Sequence, residues 1–171
     1  MASDELRQLF VHELNYARNL EISGNHMLDD ISVYVRCPEL AQLMGEGADG
    51  SREQLANLSA CYEATGISTS RRISDPVIDG LRERLQAFAG TQPSHDAMDM
   101  FVLGTCMRVT MLGEASYQEL AEMAEMLGEL ECVRRLRMNL TNKEEYACRL
   151  RRLGYDLGYQ FAGRAALIGR G

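Results

Sequence analysis

The stripe Phe10, Leu14, Ala17, Glu21, Gly24, Leu28, Ile31 and Val35 constrains this chain more than any other feature. Its steps alternate between four and three residues, so the positions share one face of an α-helix. Every member is apolar or small except Glu21. An ionised carboxylate on a buried face is costly unless something compensates it. The fold must bury this stripe and supply Glu21 with a partner.

Three further long patterns supply the surfaces to bury it. The first helix is expected from about Ser3, as N-cap, to about Val35, and Cys37-Pro38 ends it. A second helix spans 38–65 and stops at Gly66, with a face of Leu40, Leu43, Gly47, Gly50 or Ser51, Gln54, Leu58, Cys61 and Thr65. Gly45, Gly47 and Gly50 weaken its middle, and Ser51-Arg52-Glu53-Gln54 fits a capping box. The helix is read as continuous, with a restart at Ser51 as the alternative. Ser74-Asp75-Pro76 opens a shorter helix to about Phe88. After a loop that includes His95, long helices follow over 96–127 and, past Gly128, to about Leu153. Gly154 opens a tail that contains Gly158, Gly163, Gly169 and Gly171. Leu, Ala, Met, Glu and Arg dominate, and Trp is absent, which favours helix throughout. These patterns predict an all-α, antiparallel four-helix bundle over 1–153. The short helix lies in the middle crossover, and 154–171 form a C-terminal tail.

Composition excludes several functions. The formal net charge of −7 argues against a nucleic-acid binder. No apolar run approaches a membrane span, and no signal peptide precedes the first polar helix. The five cysteines lack CxxC spacing. They read as reduced core residues of a cytoplasmic protein rather than zinc ligands. His12, His26 and His95 have no ExxH partner and read as surface residues. The methionines of the third long helix and its approach, Met98 to Met126, read as gap-filling core.

The other stripes carry polar exceptions too. One reads Met100, Leu103, Met107, Thr110, Glu114, Tyr117, Ala121, Ala124, and the next Val133, Leu136, Leu140, Lys143, Ala147, Leu150. Lys143 is the only lysine among the 18 basic residues. In an antiparallel bundle these exceptions fall at similar depth. Glu21, Gln54, Thr110, Glu114 and Lys143 are therefore expected to meet in the core, with Tyr117 satisfying a remaining lone pair. The alternative is a small change of register that puts Glu114 or Lys143 on the rim.

The motif Leu9-Phe10-Val11-His12-Glu13-Leu14, with Glu21 following, resembles the YciF-like family of small bacterial stress-associated proteins in the ferritin-like superfamily. The resemblance continues through Pro38-Glu39-Leu40, Gln54, Gly66, Val77-Ile78-Asp79-Gly80-Leu81, Tyr117 and Leu127-Gly128, and covers roughly residues 5–153. It implies a ferritin-like bundle with a di-metal carboxylate site. Glu21 matches the family's first-helix acid, and Gln54 a glutamine of the second helix. Gly47 and Gly50 stand where that helix offers histidine and glutamate. Thr110 and Gly113 stand where the third offers glutamates, with Glu114 one step late, and Lys143 stands where the fourth offers an acid.

The implied reading is a non-catalytic structural or interaction protein without a cofactor, in which Lys143 replaces metal as counter-ion to Glu21, and also to Glu114. The alternative is an iron- or manganese-binding oxidoreductase or stress protein with a shifted site at Glu21, Glu114 and Glu144. A third reading is a small-ligand pocket left by the helix-2 glycines. The tail combines arginines with large apolar groups. Tyr155, Tyr159, Phe161, Arg164 and Ile168 are expected to dock on a partner protein or a second copy in a homo-oligomer; the alternative is an end packed loosely on its own bundle.

Overall fold

The computed structural model describes residues 2–69 and 75–168, with side chains described for 4–69 and 75–163. Its elements are α1 (Ala2–Ile31), a 3-10 turn (Ser32–Tyr34), α2 (Pro38–Thr65), α3 (Pro76–Gly90), α4 (His95–Leu127) and α5 (Leu130–Ile168). Among the described residues there is no strand. Nor, among the described residues, is any helix long and apolar enough to cross a membrane.

Local chemistry sets most of the boundaries. Gly66 and Gly128 cap α2 and α4 in the left-handed conformation, at φ 67° and 73°, where a side chain would be strained. The Asp75 carboxylate caps α3 by accepting from the amides of Val77 and Ile78, with Pro76 in the first turn. The Ser94 hydroxyl accepts from the Ala97 amide at the start of α4. The α1–α2 turn is held from a distance. The buried Asp99 carboxylate of α4 accepts from the amides of Arg36 and Cys37, at 2.8 and 3.0 Å.

Helix α1 packs on α2 and α4, and α5 packs on the same two helices. Helix α3 covers part of α1 and α4. Helices α1 and α2 run in opposite senses: Asn15 meets Tyr62, whereas Glu21 meets Ser51. The apolar core forms two clusters. One holds Phe10, Leu14, Leu58, Tyr117, Leu120 and Leu136, and the other Met27, Ile31, Leu40, Val102, Leu103 and Leu150. Glu21 and Lys143, which belong to neither cluster, pair with each other in the core.

Several expectations need correction. Helix α1 stops at Ile31 and tightens into the 3-10 turn, because Asp99 draws the following amides onto α4. Helix α2, by contrast, runs unbroken through Gly45–Gly50 as expected, and the alternative restart at Ser51 does not occur. Helix α5 continues far beyond Gly154, to Ile168, so no separate tail begins there. The reason is close packing: a Cβ at Gly154 would lie 3.2 Å from Leu103 Cδ2, so glycine lets α5 approach α4. His95 is the first residue of α4 rather than part of a loop. Cys148 is exposed and Cys37 half-buried, so only Cys61, Cys106 and Cys132 are core residues. Met111 and Met126 are exposed, unlike Met98 and Met123. Ser74 lies outside the described residues, as does the side chain of Ser3.

Candidate functional site: a charged layer in the bundle core

The stripe geometry of α1 delivers Glu21 to the centre of the bundle, where it is 5% exposed. Lys143 reaches it from α5, and its Nζ lies 2.8 Å from Glu21 Oε1. The Tyr117 hydroxyl on α4 donates to the same oxygen at 2.8 Å. The Ser51 hydroxyl on α2 donates to Oε2 at 2.9 Å. One carboxylate is thus served by one donor from each of the other three long helices. Charge-assisted hydrogen bonds of this kind are the strong ones, and burial strengthens them further.

The environment shifts Tyr117 accordingly. Burial pushes its hydroxyl well above the usual phenol range, and the Glu21 charge adds to the effect. Tyr117 therefore stays protonated and acts as a fixed donor. Burial likewise raises Tyr146, whose hydroxyl donates to the Leu43 carbonyl at 2.9 Å.

Glycines make room for these side chains. A Cβ at Gly113 would fall 2.8 Å from Lys143 Cε, so the lysine stem lies where a side chain at 113 would start. A Cβ at Gly47 would fall 2.5 Å from the Tyr146 hydroxyl. Next to the ion pair a second polar layer ties α2 to α5. Asn57 Nδ2 donates to Asn139 Oδ1 at 2.8 Å, and Asn139 Nδ2 donates to the Gln54 carbonyl at 3.1 Å.

Glu21, Tyr117 and Lys143 are together, but the other expected members are not. Thr110 is buried, yet its hydroxyl donates to the Cys106 carbonyl one turn back, a local bond that removes it from the cluster. Gln54 is 4% exposed, and its side-chain oxygen has no hydrogen-bond donor among the described residues. Glu114 is half-buried and makes no ion pair with Lys143, and its Oε2 has no hydrogen-bond partner among the described residues. Glu144 lies on the exposed face of α5. Glu21, Glu114 and Glu144 do not converge, and among the described residues no three His, Cys, Asp or Glu side chains are grouped to hold a metal. Tyr155 and Tyr159 are 70% and 78% exposed, and Phe161 is also exposed. The side chains of Arg164 and Ile168 lie outside the described ones.

Sequence reasoning missed Ser51 as a donor, and it missed Asn57 and Asn139 altogether. A signal existed for the asparagines. Asn139 follows Leu136 by three and precedes Lys143 by four, and Asn57 stands in the same relation to Gln54 and Cys61.

Fold and site define an all-helical protein built around a charged core layer. The chain belongs to the family described as a domain of unknown function, DUF892, whose model matches residues 5–162. The resemblance to YciF-like proteins is thereby borne out, and the match runs past residue 153 into the last part of α5. The E. coli stress protein YciF has a similar structure, with TM-score 0.83 and 18% identity over 90% of this chain and 97% of that one. YcfI, a proposed structural protein from Rhodopseudomonas palustris, gives 0.76 and 23% over 85% and 92%. A protein from Xanthomonas campestris pv. campestris gives 0.74 and 18% over 95% and 99%. These likenesses show a common fold. No curated protein matches the chain.

A di-metal centre of the ferritin-like type takes about six carboxylate and histidine ligands. The donors that converge in this layer are one carboxylate, two hydroxyls and an ammonium. The lysine stem fills the space in front of Gly113, and Tyr146 fills that in front of Gly47. This donor set does not fit a di-metal centre.

Proposed function

We propose that this protein is a ferritin-like four-helix bundle that does not run metal chemistry and acts as a structural or interaction protein. The observation that carries the reading is the buried contact of Lys143 with Glu21, which supplies from within the chain the positive charge a metal would bring. Helix α3 sits in the long connection between α2 and α4, which fits the single long crossover of ferritin-like folds. All five cysteines are free, which fits a reducing, cytoplasmic setting. The exposed Tyr155 and Tyr159 offer a contact surface for a partner protein or a second copy.

The test is elemental analysis of protein purified without chelator and reloaded anaerobically with ferrous iron or manganese. The reading expects less than about a tenth of an equivalent bound, since few metal ligands remain. Stoichiometric binding that is lost on Glu21→Ala overturns it.

A further inference from the structure

A cavity of about 210 Å³ opens beside the ion pair, between α1, α2, α4 and α5. An apolar cavity of about 150 Å³ takes benzene, so this one has room for an aliphatic molecule of roughly six to eight heavy atoms. Its wall carries apolar stretches and several polar groups, among them buried acceptors that no donor of the described residues reaches. Gln54 lines it, 4% exposed, with a buried side-chain oxygen that no donor of the described residues reaches. Asn25 Oδ1 is a second buried acceptor on the wall without such a donor. The hydroxyls of Ser51, Thr110 and Tyr146 also line it, and each has spent its proton elsewhere. They can only accept from a guest. Buried acceptors without donors are rare in native proteins, and a pair of them on one cavity wall asks for an occupant.

Charge narrows the class of occupant. Lys143 is neutralised by Glu21, and Arg149 pairs with Glu46. Two further lining carboxylates, Glu53 and Glu145, are exposed and form no ion pair among the described residues, which leaves the lining at a net −2. An anion would meet that excess and find no free cation on the lining. A neutral diol would satisfy the inner acceptors but leave the carboxylates solvated as before. We propose that the cavity binds a short aliphatic amine with a donor at each end. One end donates to Gln54 and Asn25, and an ammonium sits between Glu53 and Glu145. Gly50 also lines the cavity, and a Cβ there would meet nothing within 4 Å, so its missing side chain keeps the space open.

The experiment is calorimetric titration of the full chain with 1,4-diaminobutane at low ionic strength. 1,4-Butanediol and succinate serve as uncharged and anionic probes of similar length. Two variants accompany it. Gln54→Met removes the inner acceptor at similar volume, and Gly50→Leu fills the space while improving helix propensity. We expect saturable diamine binding, at least about tenfold weaker for the diol and for succinate. Both variants should bind the diamine at least about tenfold more weakly, with melting temperatures equal to or above the parent's. The proposal is overturned if the diamine does not saturate, or if the diol or succinate binds as well. It is also overturned if Gln54→Met, folded as judged by its melting curve, binds like the parent. Should Gly50→Leu fail to fold, Gln54→Met decides alone.

Discussion

Replacing Lys143 by Met isolates the charge at the centre of the bundle. Methionine keeps an unbranched stem of similar length, so the packing against Gly113 is retained while the ammonium is lost. Glu21 then remains 5% exposed with only the Tyr117 and Ser51 hydroxyls for partners. Two hydroxyl hydrogen bonds do not replace a counter-ion in a low-dielectric layer. Breaking a buried pair by removing one partner costs about 3–5 kcal/mol. A domain of this size has roughly 5–15 kcal/mol in total, so the variant should still fold but with a large deficit. At about 2–4 °C per kcal/mol the melting temperature should fall by roughly 6–20 °C.

The second half of the cycle is Glu21→Gln in the same background. The amide oxygen still accepts from Tyr117, and the amide nitrogen can donate to Ser51, so no charge is left stranded. The double variant should therefore be at least about 2 kcal/mol more stable than the sum of the two single losses predicts. Urea denaturation at neutral pH, followed by helical circular dichroism, measures all four corners. Additivity within about 0.5 kcal/mol would mean that the two groups are not coupled, and a core held by the Glu21–Lys143 pair would be refuted.

Tyr117 and the glycines of α2 carry two further expected outcomes. Tyr117 holds its proton in the folded protein well above the pH at which the unfolded chain releases it, about pH 10. Its contribution is therefore complete below about pH 10 and is lost as pH rises beyond it, by up to about 1.4 kcal/mol per pH unit for one proton. Tyr117→Phe should make the alkaline slope of stability shallower, as read by urea denaturation from about pH 8 to about pH 11, which spans the ordinary phenol range. Tyr62 and Cys106, each pushed up to about 12 by burial, contribute to the slope that remains, as does the raised Tyr146. The α2 glycines should split in sign. Gly45→Ala meets nothing and should stabilise by about 0.5–1 kcal/mol, whereas Gly47→Ala collides with Tyr146 and should destabilise by about 1–3 kcal/mol, both read by thermal melting.

The parts of this structure legible in the sequence are those that a helical period and a single residue type determine. The α1 stripe and the caps at Gly66 and Gly128 follow from spacing and backbone preference, while α2 stays unbroken because its packed face outweighs the glycines in its middle. Glu21 and Lys143 stand out because each interrupts an apolar stripe, and with Tyr117 they meet in the core. What was not legible depends on neighbours in space. Ser51 fits a capping box, and only the approach of α1 turns its hydroxyl to Glu21. Thr110 sits at the expected depth, but its hydroxyl donates to the Cys106 carbonyl of its own helix. Gly154 reads as a stop, but the contact with Leu103 makes it a packing position. The bend after Ile31 depends on Asp99, far away in sequence.

The charges and the volumes of this core are exchanged together. Where α4 gives up a side chain at Gly113, α5 lays the Lys143 stem into the gap; where α2 gives one up at Gly47, α5 supplies the Tyr146 ring. A lysine at 143 without glycine at 113 would be pushed off Glu21, because a Cβ only 2.8 Å from Cε forces the stem to move. The converse holds as well. Lys143→Glu alone would place a second carboxylate beside Glu21 with no cation in the layer, and like charges at that distance cannot both stay ionised in a buried site. Acidic ligands at 47 and 113 could not be added to help, since Tyr146 blocks the first and the residue-143 stem the second. Moving this core between a lysine-neutralised and a metal-neutralised state therefore requires coordinated change on three helices, which makes the present arrangement a separate solution to burying Glu21.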